Sequence, residues 1–330
     1  MSLTAQAGGS GVQEPGRLRA IAGEILESLY QHRLLSTGQL RVMHAPHASS
    51  RWMQRVLSEL ADQDLVRFAH RRGALRVWYV SEAGADLVEA VPDRVEERRK
   101  LLDPRHAAGM LQAHTLAVND VGISFLEAAR ERGDEFTARS WRPEVAHPIG
   151  PPPGMRRGEL LIADAVLSYL HFHDKLISVQ YRFVELDRAT IPVDKLAEKL
   201  ARYARLYRFR PRAPRAGQPR PPAAWKARYP VFPGVLVAFA DRPRRALERR
   251  AHISAALCRT DPDLTATGQV ELSFCLLEDL KAKGPFAAIF TEPGREERVD
   301  WLGQPPDTEP TASPSDADSA TAAADADGEA

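Results

Sequence analysis

Two strand-like runs that carry acids among apolar residues constrain this chain more than any other feature. Leu160-Leu161-Ile162-Ala163-Asp164-Ala165-Val166-Leu167 is apolar except for Asp164, and Phe183-Val184-Glu185-Leu186-Asp187-Arg188 then places two acids two residues apart. Side chains alternate along a strand, so Glu185 and Asp187 share one face and Leu186 takes the other. A carboxylate in a buried strand is costly unless it is paired or bound to a cation. Asp164, Glu185 and Asp187 meeting on adjacent strands would hold a hard cation such as Mg²⁺ or Mn²⁺. Such an ion activates water and stabilises charge in phosphodiester hydrolysis. The structural alternative is that Asp187 and Arg188 bridge to helix residues and that Glu185 pairs with Lys199 or Arg202.

The surrounding pattern predicts a long helix over 109–132 and strands over 137–146, 160–169 and 176–186. A helix over 193–207 and a fully apolar strand over 234–240 follow. Beyond them the pattern predicts a helix over 244–256, a strand over 270–276, a short helix over 278–283 and a strand over 287–291. The order α-β-β-β-α-β implies a mixed α/β sheet with helices packed on it.

The first ninety residues have a different rhythm. Leu18, Ile21, Ile25 and Leu29 recur at helical spacing, Ser36 and Thr37 can cap a short second helix, and Ser49 or Ser50 can cap a third. That third helix buries Met53, Val56, Leu57 and Leu60 and turns Arg51, Gln54, Arg55 and Ser58 outward. Two strand-like runs, 65–69 and 75–80, flank the basic turn His70-Arg71-Arg72-Gly73-Ala74, and a helix begun by Ser81 closes the unit before Pro92. Three helices and a basic hairpin predict a winged helix-turn-helix over 17–92. In that reading Arg51, Gln54 and Arg55 meet base edges in the major groove. Ser50 lies at the anion-favouring helix N-terminus, and Arg71, Arg72 and Arg76 contact phosphate. The alternatives are a helical unit with a solvated arginine face and a winged helix used for protein contacts. His44 and His47 have no cysteine or carboxylate to complete a metal set and read as turn residues.

Charge points the same way. The net charge of +1 conceals seven acids and no bases beyond Gly303; residues 1–302 carry 45 bases against 37 acids, a net of +8. Of the 45 bases 38 are arginine, whose planar fork suits phosphate, although a genome rich in arginine codons would give the same bias. From Lys199 to Ala240 there are ten bases and no acid, so the Pro/Arg-rich loop over 208–233, with Lys199 and Arg202 on the preceding helix, reads as a phosphate-binding strip or a solvated loop. Residues 1–16 and 303–330 are low in apolar content and read as disordered, and 93–108 as a charged connector. Two cysteines build no disulfide framework and no apolar run is long enough to span a bilayer, so a cytoplasmic protein is expected, associated with the nucleoid where its arginines meet DNA.

The acidic pair and the element order resemble the PD-(D/E)xK nucleases, a restriction-endonuclease-like fold. In that superfamily an Asp, and an acid two residues before a Lys, form the metal site. Asp164 matches the first and Glu185 the second; Ala163 stands where a Pro is usual, and Asp187 where the Lys is expected. Lys199 or Lys195, one turn apart on the next helix, can replace that lysine as the group that orients water. The chain is also similar to the actinobacterial replication-relaxation family, linked to plasmid replication or mobilisation. His114-Thr115-Leu116-Ala117-Val118-Asn119-Asp120, Ala163 to Leu167, Phe183 to Thr190 and Lys199 to Ala204 carry that similarity, over roughly residues 20–290.

These readings imply a DNA-binding accessory or regulatory protein in plasmid replication, relaxation or mobilisation, with a nuclease-like domain over 109–302 that has lost activity. The alternative is an Mg²⁺- or Mn²⁺-dependent endonuclease or nickase in which Asp164 and Glu185 hold the ion, Asp187 assists and Lys199 orients water. Double-stranded DNA is the expected partner, with plasmid replication or mobilisation proteins and a second copy of the chain as further candidates.

Overall fold

The computed structural model describes residues 15–70, 75–90, 110–150, 159–173, 176–211 and 221–305. The expected disordered N-terminus and connector therefore lie mostly or wholly outside it, as do the hairpin turn with Arg71 and Arg72, the centre of the Pro/Arg-rich loop, and the tail from residue 306.

The N-terminal helices begin where the sequence offers caps. After α1 (Pro15–His32) and a two-residue strand β1 (Leu35–Ser36), Ser36 caps α2 (Thr37–His44) in a reciprocal box with Gln39. Ser49, not Ser50, caps α3 (Ser50–Asp62), whose buried stripe is Met53, Val56, Leu57 and Leu60 as the spacing requires. Strands β2 (Val66–His70) and β3 (Arg76–Val80) form the hairpin, and Ser81 caps α4 (Glu82–Glu89). The sheet order is β1-β3-β2, with Leu35 opposite Trp78. Simple alternation fails in β3. Val77, Trp78, Tyr79 and Val80 are all buried, whereas Phe68 on β2 is 39% exposed. The central strand is covered on both faces: Trp78 and Val80 join the helices, while Val77 and Tyr79 pack with Leu34 against Leu116 of the next helix.

That helix, α5 (Met110–Arg132), lies on one face of a five-stranded sheet in the order β4-β5-β6-β7-β8. The strands are β4 (Trp141–Ile149), β5 (Glu159–His173), β6 (Leu176–Asp187), β7 (Gly234–Phe239) and β8 (Leu272–Leu276). The first three run antiparallel and the last two pair in parallel. Helices α6 (Val193–Arg208), α7 (Arg244–Thr260) and α8 (Pro262–Thr267) pack against the opposite face, and α9 (Leu277–Lys283) returns to α5. The fold is a mixed α/β one of helices and two sheets. β4 begins at Trp141 rather than near residue 137, and residues 287–291 make only single bridges to Phe274 and Val299 instead of a strand.

The two sheets share one core. Ile25, Leu29, Met53 and Trp78 belong to the same apolar cluster as Val121, Phe125, Trp141 and Tyr169. Buried polar bonds close the seam. Gln39 Nε2 donates to the Leu116 carbonyl at 2.8 Å and to Asp120 at 2.7 Å, and Asn119 Nδ2 donates to the Leu34 carbonyl at 2.9 Å. His32 stacks on Trp141 with centroids 4.4 Å apart while its Nε2 bonds the Ala138 carbonyl at 2.8 Å.

β5 departs from a regular strand at one place. Leu161 and Ala163 pack with the α6–α7 layer, whereas Ala165, Leu167 and Tyr169 pack with α5, although all are odd-numbered. Regular alternation would put them on one face. The strand must therefore turn over between Ala163 and Ala165. Its neighbour turns with it: Glu144, which lies opposite Asp164 in register, has φ +51°. Pairing of β5 with β6 stops at Ala165–Val184, so the strands part where Asp164 would face Glu185.

Candidate functional site

Asp164 sits in the mouth of that divergence. Its Oδ2 accepts the Leu186 N–H at 2.8 Å, replacing the backbone acceptor that β5 no longer supplies. Because the mouth opens to both faces of the sheet, Asp164 is reached from each. His114 Nε2 of α5 approaches Oδ2 to 3.5 Å from one side, and Lys199 Nζ of α6 approaches Oδ1 to 3.5 Å from the other. Lys199 also makes a close ion pair with Glu185 Oε2, and Tyr203, one turn further along α6, donates its hydroxyl to Glu185 Oε1 at 2.5 Å. Lys199 and Tyr203 share a helix face at i and i+4, which is why one helix serves both oxygens of one carboxylate.

Exposure falls inward. The His114 side chain is 33% exposed, Lys199 29%, Asp164 16% and Glu185 2%. Burial, reinforced by the neighbouring Asp164 charge, pushes the Glu185 carboxyl up to about 8; the Lys199 ammonium and Tyr203 hydroxyl pull the other way. Burial prevails at neutral pH because the Lys199 charge is divided between two carboxylates. Burial also works to raise Asp164, but the His114 hydrogen bond, the Lys199 charge and the Leu186 N–H together hold it below its ordinary value. For Lys199 burial is outweighed by the two carboxylates, which raise it. Burial and the adjacent Glu185 push the Tyr203 phenol well up, so it serves as a donor.

Asp187, expected as a third ligand, does not join this set. It shares the helix-covered face with Glu185, as alternation requires, but its carboxylate pairs closely with Arg250 Nε of α7 and accepts Arg250 Nη2 at 3.2 Å and the Ala189 N–H at 3.0 Å. This is a helix pairing of the kind expected for Asp187 as the structural alternative, with Arg250 as the partner. Among the described residues no group of three or more His, Cys, Asp or Glu is disposed to hold a metal ion. The donors present do not fit a three-carboxylate nest for Mg²⁺ or Mn²⁺: one carboxylate is committed elsewhere and an ammonium stands between the other two. His114 and Tyr203 complete the cluster that is present. Both lie in stretches that carry the family similarity, but spacing gave no sign of their contacts with the acids, because each reaches them from a helix on its own side of the sheet.

The second candidate surface lies on the N-terminal unit. Ser36, Thr37 and Gly38 at the start of α2, Arg51, Gln54, Arg55 and Ser58 of α3, and Leu75, Arg76 and Val77 of β3 line one concavity of about 680 Å³. Arg51, Gln54, Arg55 and Arg76 are exposed, as is Ser50 at the head of α3. Arg55 approaches only Glu59, at 4.0 Å, and Arg76 lies over the Phe68 ring with its guanidinium carbon 4.5 Å from the centroid. Trp78 Nε1 donates to Thr37 Oγ1 at 2.9 Å, which fixes that hydroxyl at the rim. Arg71 and Arg72 are outside the described residues.

The arginines of the predicted strip behave differently. Arg202 donates to the Leu160 carbonyl at 2.9 Å and lies 3.6 Å from Glu159, Arg205 donates to the Gly150 carbonyl at 2.7 Å, Arg208 pairs with Asp263, and Arg228 donates to the Ala146 carbonyl at 2.8 Å. These cations tie α6 and the following loop to β4, β5 and α8, so Arg202, though a third exposed, has an intramolecular partner.

No helix among the described residues is long and apolar enough to cross a membrane. No curated protein and no solved structure matches the chain. A family model described as replication-relaxation matches residues 26–219, from the second half of α1 through α6 and into the loop beyond. That span is more than half of the chain and contains both candidate surfaces, the concavity of Arg51, Arg55 and Arg76 and the cluster of His114, Asp164, Glu185, Lys199 and Tyr203. The chain therefore belongs to the replication-relaxation family.

Proposed function

We propose that this protein binds double-stranded DNA through its N-terminal unit, a winged helix-turn-helix, and serves DNA replication or relaxation as an accessory or regulatory factor. The observation that carries the reading is the concavity between α2, α3 and β3. Exposed Arg51 and Arg55 face Arg76 across it, and Gln54 lies between them. Guanidinium groups left to solvent on a helix with an apolar rear face suit the major groove, and the hairpin arginine suits phosphate. In this account the larger sheet is a restriction-endonuclease-like scaffold whose polar centre is closed by Lys199.

The test is binding of a labelled duplex by fluorescence anisotropy over a salt series. Arg76→Ala, which removes one phosphate contact, lowers the log–log salt slope by roughly 0.9, and Arg51→Ala with Arg55→Ala weakens binding by about 1–3 kcal/mol each and relaxes sequence preference. An unchanged slope in Arg76→Ala together with unchanged affinity and sequence preference in the Arg51/Arg55 variant refutes the assignment of this face, and absence of binding by the intact chain at low salt refutes the function.

A second reading is favoured by one specific observation. Asp164, Glu185 and Lys199 converge although they come from two strands and a helix, and they correspond in type to an acid–acid–lysine nuclease site. Nicking of supercoiled plasmid in Mg²⁺ or Mn²⁺ that is lost in both Asp164→Asn and Lys199→Met would support an endonuclease. Intact plasmid under those conditions, with duplex still bound, leaves the binding reading alone.

A further inference from the structure

Strand β6 is paired along only part of its outer edge. β7 runs beside it from Arg182 to Asp187, so among the described residues Leu176 to Tyr181 have β5 on one side and no strand on the other. The direction of their main-chain groups follows from what β5 does on its far side. Leu170 exchanges both of its main-chain hydrogen bonds with Glu135, and the Ser168 and Phe172 N–H groups donate to the Ser140 carbonyl and to Asp134. These residues turn away from β6, so their partners across the ladder, Tyr181, Val179 and Ile177, stand in its non-hydrogen-bonded pairs. Ile177 and Val179 therefore point N–H and C=O outward along the open edge. The Tyr181 carbonyl points the same way but accepts Arg182 Nη1 at 2.9 Å. Among the described residues no hydrogen bond reaches the main chain of Ile177 or Val179 from outside the strand.

The side chains along that edge are apolar and open. Leu176 is 73% exposed, Ile177 65% and Val179 39%, and Phe172, opposite Ile177 on β5, is 42% exposed. Leu176-Ile177-Ser178-Val179-Gln180-Tyr181 holds no charge and no proline. Charges, prolines and irregular backbone are what normally guard an edge against pairing with another chain. The end strands of this sheet are guarded: β4 carries Pro143, Pro148 and the positive φ of Glu144, and β8 is bridged by Thr291 at Phe274. A hollow of about 620 Å³ lies beside the even-numbered side chains, where Leu176, Ser178 and Gln180 face Leu302, Gln304 and Pro305.

We propose that this edge pairs with the same edge of a second copy of the chain, antiparallel about a two-fold axis through Ser178. In that register Ile177 exchanges two hydrogen bonds with Val179 of the second copy, and Val179 two with its Ile177, so every outward group of the pair finds a partner. Moving the axis to Val179 would set Ile177 against Tyr181, whose carbonyl is already engaged. Ile177 and Val179 of the two copies cover each other, and Leu176 of each comes to lie beside Gln180 of the other, at the hollow. A second copy supplies matching donors, acceptors and apolar side chains, with no like charges within the six residues to oppose them. The chain's own residues 306–330 do not suit the place, because they hold three prolines and no Val, Ile, Leu or aromatic residue. The pairing is independent of DNA binding.

Disulfide cross-linking of the full chain tests both the pairing and its register. Cys258 and Cys275 are buried, so a cysteine introduced on the edge reacts alone. On the axis, the two copies of residue 178 form a non-hydrogen-bonded pair with Cα atoms about 4.5 Å apart, within disulfide range. The two copies of residue 179 lie on a diagonal at ~7–8 Å, outside it. Mild oxidation should therefore link Ser178→Cys into covalent dimers about tenfold faster than Val179→Cys. In sedimentation over a dilution series the wild-type chain should form dimers, and Val179→Lys and Ile177→Lys should each lose them while keeping the wild-type circular dichroism spectrum. Wild-type chain that stays monomeric at every concentration overturns the proposal. Dimers that survive in both lysine variants overturn it as well, since association would then use another surface. Linkage at 179 as fast as at 178 refutes the register. The cross-link is read without the lysine variants, so loss of folding in either of them leaves the test in place.

Discussion

Glu185→Gln should make the protein more stable in mildly alkaline solution and leave it no more stable in acid. The Glu185 carboxyl is held at about 8 in the folded chain against an ordinary 4.5, mainly by burial. A carboxyl raised on folding contributes stability that is complete below pH 4.5 and is lost as pH climbs through the folded value. At about 1.4 kcal/mol per pH unit, the wild-type chain gives up about 3 kcal/mol by pH 7 and about 5 kcal/mol by pH 8. Glutamine removes that loss. It also exchanges the carboxyl's bonds to Lys199 and Tyr203 for those of an amide whose geometry suits them less well, which costs about 1–2 kcal/mol. The difference between variant and wild type should therefore change sign. In urea unfolding the variant should be equal or weaker at pH 5 and stronger by about 3–4 kcal/mol at pH 8, with the same m-value. A difference that is constant from pH 5 to pH 8 would refute the reasoning, because it would mean that Glu185 is ionised throughout and that Lys199 fully compensates its burial.

Other positions give sharper structural tests. Arg250→Ala strands the Asp187 carboxylate, 4% exposed, and should cost about 3–5 kcal/mol; adding Asp187→Ala should recover much of it in a double-mutant cycle. Gly122→Ala drives a methyl to within 2.4–2.7 Å of the Trp141 indole, which α5 presses against β4, so thermal unfolding should report a loss of about 1–3 kcal/mol. Burial lowers His32 from 6.5 to about 3 at the seam between the two sheets. A histidine depressed on folding contributes stability that is present above 6.5 and is lost as pH falls, so about 3 kcal/mol should be gone by pH 4.5 and His32→Gln should flatten that limb of the profile.

How much of this was legible follows from which interactions are local. Caps and apolar stripes are short-range, so α2, α3 and α4 begin at Ser36, Ser49 and Ser81, within a residue of where their sequences place them. Asp164 and Glu185 could be singled out because an acid in an apolar strand is conspicuous, and Lys199 because it is the second lysine on the helix that follows. A helix partner for Asp187 could be expected but not named, because Arg250 arrives from a helix sixty-three residues away and no periodicity reveals which helix will cover a given strand end. His114 stands at the head of one of the stretches that carry the family similarity, but its contact with Asp164 is equally non-local. The turnover of β4 and β5 at Glu144 and Asp164 leaves no mark on the alternation either, since apolar residues continue on both sides of it. It is visible only as two clusters that divide residues of one parity.

That turnover explains why an acid is placed at position 164. Where β5 parts from β6, the Leu186 N–H loses its strand partner, and an unpaired buried N–H costs about 1–3 kcal/mol. The Asp164 carboxylate takes that hydrogen bond and in doing so lies in the plane of the sheet, where helices on both faces can reach it. An asparagine at 164 keeps an acceptor for Leu186 but gives up the charge that faces Lys199. If Asp164 serves only to close the sheet, Asp164→Asn should cost about 1 kcal/mol in unfolding and leave duplex binding unchanged. If the mouth is part of the DNA surface, the same substitution removes a negative charge beside the backbone, and the duplex should bind several-fold more tightly at low salt, with the gain vanishing as salt rises. A ratio of variant to wild-type affinity that stays near one at both about 50 mM and about 200 mM salt would assign Asp164 to the fold alone.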